Sequence, residues 1–125
     1  MTVATFTKVP LSGSTGGRGV PVAATATPGT TIHTGSSGTD LHELWIYATN
    51  TDVVARKLTI EWGGVTVPGD VIELMIAPEA GLILVIPGLA LAANATPPVV
   101  GAFADVTSVV TIHGYVNVIG AEPSA

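Results

Sequence analysis

The clearest signal along the chain is alternation of apolar and polar side chains, the period-two pattern of strands with one buried face. From Leu41 to Thr51, Leu44, Ile46 and Ala48 fall on one face, and Glu43, Trp45, Tyr47 and Thr49 on the other. From Val54 to Trp62, Leu58, Ile60 and Trp62 alternate with Lys57, Thr59 and Glu61, which reads as a half-buried antiparallel strand. The turn residues Asn50-Thr51-Asp52 between these two segments predict a hairpin. The last long strand, 108–119, points Val110, Ile112, Val116 and Val118 toward the core, and Thr111, His113, Tyr115 and Asn117 away from it.

Shorter segments fill in the rest. Residues 1–9 read as a first strand stopped by Pro10, and 20–26 and 30–34 as short strands in a region rich in Gly, Ser, Thr and Pro. Between them, 12–19 is a glycine-rich loop whose one charge is Arg18. Val71–Ile76 is a strand; Leu82–Ile86 is an apolar run suited to a central buried strand, broken by Pro87-Gly88. Residues 89–95 read as a short strand or a helical turn, and 99–106 as a strand around Phe103. About eight strands with turn signals every 8–12 residues predict an all-β fold, an antiparallel β-sandwich or jelly-roll-like single domain. The expected organisation is an N-terminal strand and extended arm over 1–39, a sandwich core over 40–119 and a loose tail over 120–125.

Composition adds one constraint. Only 10% of residues are charged, against roughly 25% in an ordinary soluble domain. Hydrophobic residues make up 47%, so some apolar surface is expected to lie against a partner. The net charge of −5, from four basic and nine acidic residues, leaves no basic stripe and argues against nucleic-acid binding. The absence of cysteine excludes disulfides and thiolate metal sites. The N-terminus lacks the layout of a signal peptide. The apolar stretch 80–93 is interrupted by Pro87-Gly88 and falls short of the ~20 residues a bilayer needs, so no membrane contact is expected.

Candidate chemistry is sparse. His33, His42 and His113 read as exposed or interfacial strand residues, because alternation sends the neighbours Asp40, His42 and Glu43 to opposite faces rather than to one metal. No nucleophile elbow is present, and Glu61, Asp70 and Glu73 read as surface carboxylates. Gly13, Gly16, Gly17 and Gly19 lack the lysine and the helix of a phosphate loop. The expectation is therefore a protein that is not an enzyme, with no cofactor and no metal. Trp45 and Tyr47 admit three readings: an interface anchor, a sugar platform, or a strand buried on both faces. The interface candidates are Phe6, Arg18, Trp45, Tyr47, His113 and Tyr115.

Five stretches carry a resemblance: 29–35 (GTTIHTG), 43–51 (ELWIYATNT), 58–64 (LTIEWGG), 85–91 (VIPGLAL) and 110–119 (VTIHGYVNVI). Together they resemble small virion proteins of tailed bacteriophages, and the size and composition are most like a capsid decoration (cement) protein. The resemblance spans most of residues 29–119 and is one of overall texture, without a residue-level motif to carry over. It implies a subunit on the outside of the head shell, bound to the major capsid protein, often as a homotrimer, that reinforces the shell against internal DNA pressure. It also implies synthesis in the host cytoplasm. The related alternative is a tail, neck or head-fibre component, and the unrelated one a carbohydrate-binding module. The expected mechanism is that residues 1–39 reach out to capsid subunits or to a neighbouring copy.

Overall fold

The computed structural model describes residues 5–120, so the first four residues of the expected N-terminal strand and nearly all of the expected tail lie outside the described residues. Nine strands follow in chain order: β1 (Phe6–Pro10), β2 (Val20–Pro21), β3 (Thr30–Thr34), β4 (Leu41–Asn50), β5 (Arg56–Trp62), β6 (Val71–Ile76), β7 (Ile83–Leu91), β8 (Val99–Ala104) and β9 (Val110–Ile119). Among the described residues there is no helix. The strands form two antiparallel sheets packed face to face. The first runs β1-β9-β4-β7, with β2 also on β9; the second runs β3-β8-β5-β6.

The alternation read in the sequence supplies the core. Leu44, Ile46 and Ala48 of β4 and Val110, Ile112 and Val116 of β9 face Leu58 and Ile60 of β5 and Val100, Ala102 and Ala104 of β8, all fully or almost fully buried. Alanines opposite branched side chains let the two layers interdigitate.

Four expectations are corrected. First, β4 and β5 are not a hairpin; they lie in different sheets. Asn50 makes the corner: its Nδ2 donates to the carbonyls of Val54 (2.9 Å) and Ile76 (3.0 Å), and its Oδ1 accepts from the Asp52 amide (2.9 Å). A buried amide that binds three backbone groups on both sides of a turn fixes a sheet-to-sheet crossing better than a two-residue turn does.

Second, the described part of 1–39 is woven into the sandwich and is not a detached arm. β1 and β2 lie along the same edge of β9 as one interrupted strand. Residues 11–19 leave that edge and cross to the second sheet, where Gly13 N–H donates to the Ile32 carbonyl at 2.9 Å. A Cβ at Gly13 would meet the Thr31 and Ile32 carbonyl oxygens at 2.5 and 2.6 Å, so only glycine allows this approach. Leu11, Val20, Val22 and Ile32 all enter the core.

Third, β7 is an edge strand, not a central one, and it continues through Pro87 to Leu91. Its register against β4 shifts at Gly88 and again at Val85, and an edge is where Pro87, without an amide proton, is tolerated. Fourth, β5 is buried on both faces: Thr59 and Glu61 are 2% and 3% exposed. The segment 23–29 runs over them, with the Thr27 hydroxyl and the Gly29 amide both bound to Glu61.

Candidate interaction face

The outward side of the first sheet collects the residues singled out by sequence. Register sets Pro10, Tyr115, Trp45 and Pro87 in one row across the strands; Lys8, Asn117, Glu43 and Ala90 in the next; and His113, Tyr47 and Leu84 on the other side. Phe6 pairs with Ile119 and points the same way, two-thirds exposed. Phe6, Trp45, Tyr47, His113 and Tyr115 thus share one face. Arg18 stands at its border, since Gly19 packs so closely on His113 that an added Cβ would lie 2.6 Å from the ring.

The central row is a stack. The Trp45 and Tyr115 rings are nearly parallel (11°) with centroids 6.3 Å apart, and Lys8 Nζ lies 4.5 Å from the centre of the Tyr115 ring. On the other side of Trp45, a Cβ at Gly88 would meet Cζ2, Cε2 and Nε1 at 2.8–3.2 Å, so the backbone of Gly88 lies against the indole. The order across the strands is therefore Gly88, Trp45, Tyr115, Lys8. Parallel aromatic contact contributes about 0.5–1.5 kcal/mol and an exposed cation over a ring about 0.5–1 kcal/mol. Those terms hold the two rings parallel to each other, with Lys8 against Tyr115.

Glu43 anchors the neighbouring row. Its Oε1 accepts from Asn117 Nδ2 (2.9 Å) and Trp45 Nε1 (2.8 Å). These two donors, Asn117 first, hold its carboxyl below the usual carboxylate range. Asn117 is 7% exposed, and its Oδ1 is a buried acceptor without a partner among the described residues. Gly114 of β9 lets β4 approach: a Cβ there would collide with the Trp45 carbonyl. Lys8 and Glu43 are the charged groups of this face. It offers parallel aromatic rings and exposed Phe6 and Leu84, a surface suited to docking on another protein.

His33 is buried, where an exposed or interfacial position is expected. A register shift in β3 between Thr31 and His33 turns Ile32 and His33 both inward, and His33 is 3% exposed. Its Nδ1 accepts from the Ser12 amide (3.0 Å), which fixes the proton on Nε2; Nε2 donates to His42 Nδ1 at 2.8 Å. Burial, and then the nearby charge of His42, push His33 down to about 4. Burial also lowers His42, opposed by Asp40. The bulge that turns His33 inward leaves no mark in the sequence.

No known protein-family model matches the chain, and no curated protein sequence matches it. The fold and the face define it as a two-sheet, all-β antiparallel protein with an aromatic outer surface.

Proposed function

We propose that this chain is a structural virion protein of a tailed bacteriophage: a decoration (cement) subunit that binds the major capsid protein on the outside of the head. The observation that carries the reading is the gathering of Phe6, Trp45, Tyr47 and Tyr115 on one charge-poor sheet face. Aromatic anchors on a patch poor in charge are what a protein interface uses at its centre. The finer fold reading we propose is a jelly roll. Taking β1 and β2 as one strand leaves two four-stranded sheets of eight strands in all, with the first strand beside the last and each sheet alternating early and late strands. That architecture recurs in viral capsid and lectin domains, an analogy of fold only.

Docking through the first sheet replaces the expected arm as the mechanism, because the described part of the N-terminal segment is committed to the core. In the proposed setting the subunits act on the virion surface as homotrimers after synthesis in the host cytoplasm. The carbohydrate reading is not favoured. A sugar stacks on a free ring face, whereas Lys8 Nζ lies over the ring of Tyr115.

Cryo-electron microscopy of the particle, with wild-type and Trp45→Ala protein, tests the proposal. Regular density over the head lattice, facing the shell with the first sheet and lost or thinned in Trp45→Ala, is the expected result. Density confined to the tail or portal vertex would transfer the protein to the tail or neck class. Unchanged head occupancy in Trp45→Ala would remove the docking face.

A further inference from the structure

A cleft of about 450 Å³ opens on the outer side of the second sheet, between Gly29, the Gly63-Gly64 turn and the Pro97-Pro98 corner. Glu61 is one of its lining residues and is 3% exposed. Its Oε2 accepts from the Thr27 hydroxyl and its Oε1 from the Gly29 amide, both at 2.6 Å. These are neutral donors. Among the described residues no cation forms an ion pair with Glu61. A buried carboxylate held by hydrogen bonds but lacking a counter-charge gains from an added cation. Gly101, its partner across the ladder, leaves the approach open: a Cβ there would stand 3.5 Å from Oε1. Proline walls around a carboxylate suit a cationic head on an aliphatic stem, and a guanidinium best, because its donors form a planar fork.

The chain carries a matching group. Arg56 and Lys57 are engaged with Asp52 and Glu73, and Lys8 with the Tyr115 ring. Arg18 is exposed and forms no ion pair among the described residues. It follows Gly16 and Gly17, both in the left-handed region with nothing within 4 Å of a would-be Cβ, so the loop tip stands clear of the sandwich. That loop borders the outer face of the first sheet, whereas the cleft opens on the second. We propose that Arg18 of one copy enters the Glu61 cleft of a second copy and binds its carboxylate. The contact joins unlike surfaces, a head-to-tail geometry that builds rings where the rotation closes and filaments where it does not. It does not rest on the capsid reading and uses none of the aromatic face.

Sedimentation equilibrium of the full chain at low and high salt, with circular dichroism to verify folding, tests this. Wild type should self-associate, less so at high salt. Arg18→Ala, on an exposed loop, should weaken association by ~10-fold or more. Glu61→Gln should do the same, and Gly101→Ala, whose Cβ enters ordinary contact distance, checks that result in a chain with its carboxylate intact. A mixture of Arg18→Ala and Glu61→Gln should form mixed complexes through the one intact pair, more tightly than either variant associates alone. A monomeric wild type, or Arg18→Ala associating like wild type, overturns the proposal. Either result leaves the head-binding test with Trp45→Ala untouched.

Discussion

Acidification should loosen this protein through one buried imidazole. His33 titrates at about 4 in the fold against ~6.5 in an unfolded chain. The unfolded state therefore takes up the proton first. The stabilisation is fully present above pH ~6.5 and is lost as pH falls toward 4. Linkage puts the loss at about 2 kcal/mol by pH 5 and about 3 kcal/mol by pH 4. That is a large share of the ~5–15 kcal/mol that holds a typical domain. The structural cause is specific: a second proton on His33 must sit on Nδ1, which accepts the Ser12 amide, so protonation breaks the link between the 11–19 crossing and β3. Urea unfolding followed by tryptophan fluorescence, at pH 7.5, 6, 5 and 4, measures the loss. Half-buried carboxylates with lowered pKa, such as Asp52 held by Arg56, also lose stabilisation at the acid end. The comparison is therefore with His33→Asn, which keeps an acceptor and removes the titration. The stability gap between wild type and His33→Asn should narrow by about 2 kcal/mol from pH 7.5 to 5. A gap independent of pH, or a His33 ring proton titrating near 6.5 in NMR spectra, would refute the reasoning.

Two other outcomes follow from the packing. Leu11→Ala should cost about 2–5 kcal/mol in urea unfolding, because the side chain is buried between the sheets; a cost below ~0.5 kcal/mol would mean that the 11–19 crossing is dispensable surface. Asn50→Ala should cost about 1–3 kcal/mol by leaving the Val54 and Ile76 carbonyls short of a donor, and hydrogen exchange should quicken first around residues 50–56, with uniform exchange counting against a local corner.

What the sequence made legible was local. The faces of β4 and β9, including the outward positions of Trp45, Tyr47, His113 and Tyr115, followed from alternation alone. What it hid depends on residues far apart in the chain. Trp45 meets Tyr115 only because β4 lies beside β9. Glu61 reads as solvated on its own strand and is buried only because residues 23–29 cross above it. His33 departs from alternation at a bulge, and β7 reads as central because an apolar run looks alike whether a neighbouring strand covers it or not. The glycine-rich tract near the N-terminus suggested freedom, yet Gly13 and Gly19 are there to let the backbone pass close to β3 and His113.

The position of β9 between β1, β2 and β4 also governs the order in which the protein can form. β1, β2 and β4 are synthesised early, and the strand that joins them comes from residues 110–119. A nascent chain that stops before residue 110 leaves β1 and β2 without any ladder and β4 open on one edge. Pairing across such separations makes folding slow and leaves apolar edges exposed while it waits. Ribosome-bound chains lacking β9 should therefore be the species that chaperones hold and proteases remove, while chains that carry it zip the earliest strands to the latest and leave that pool.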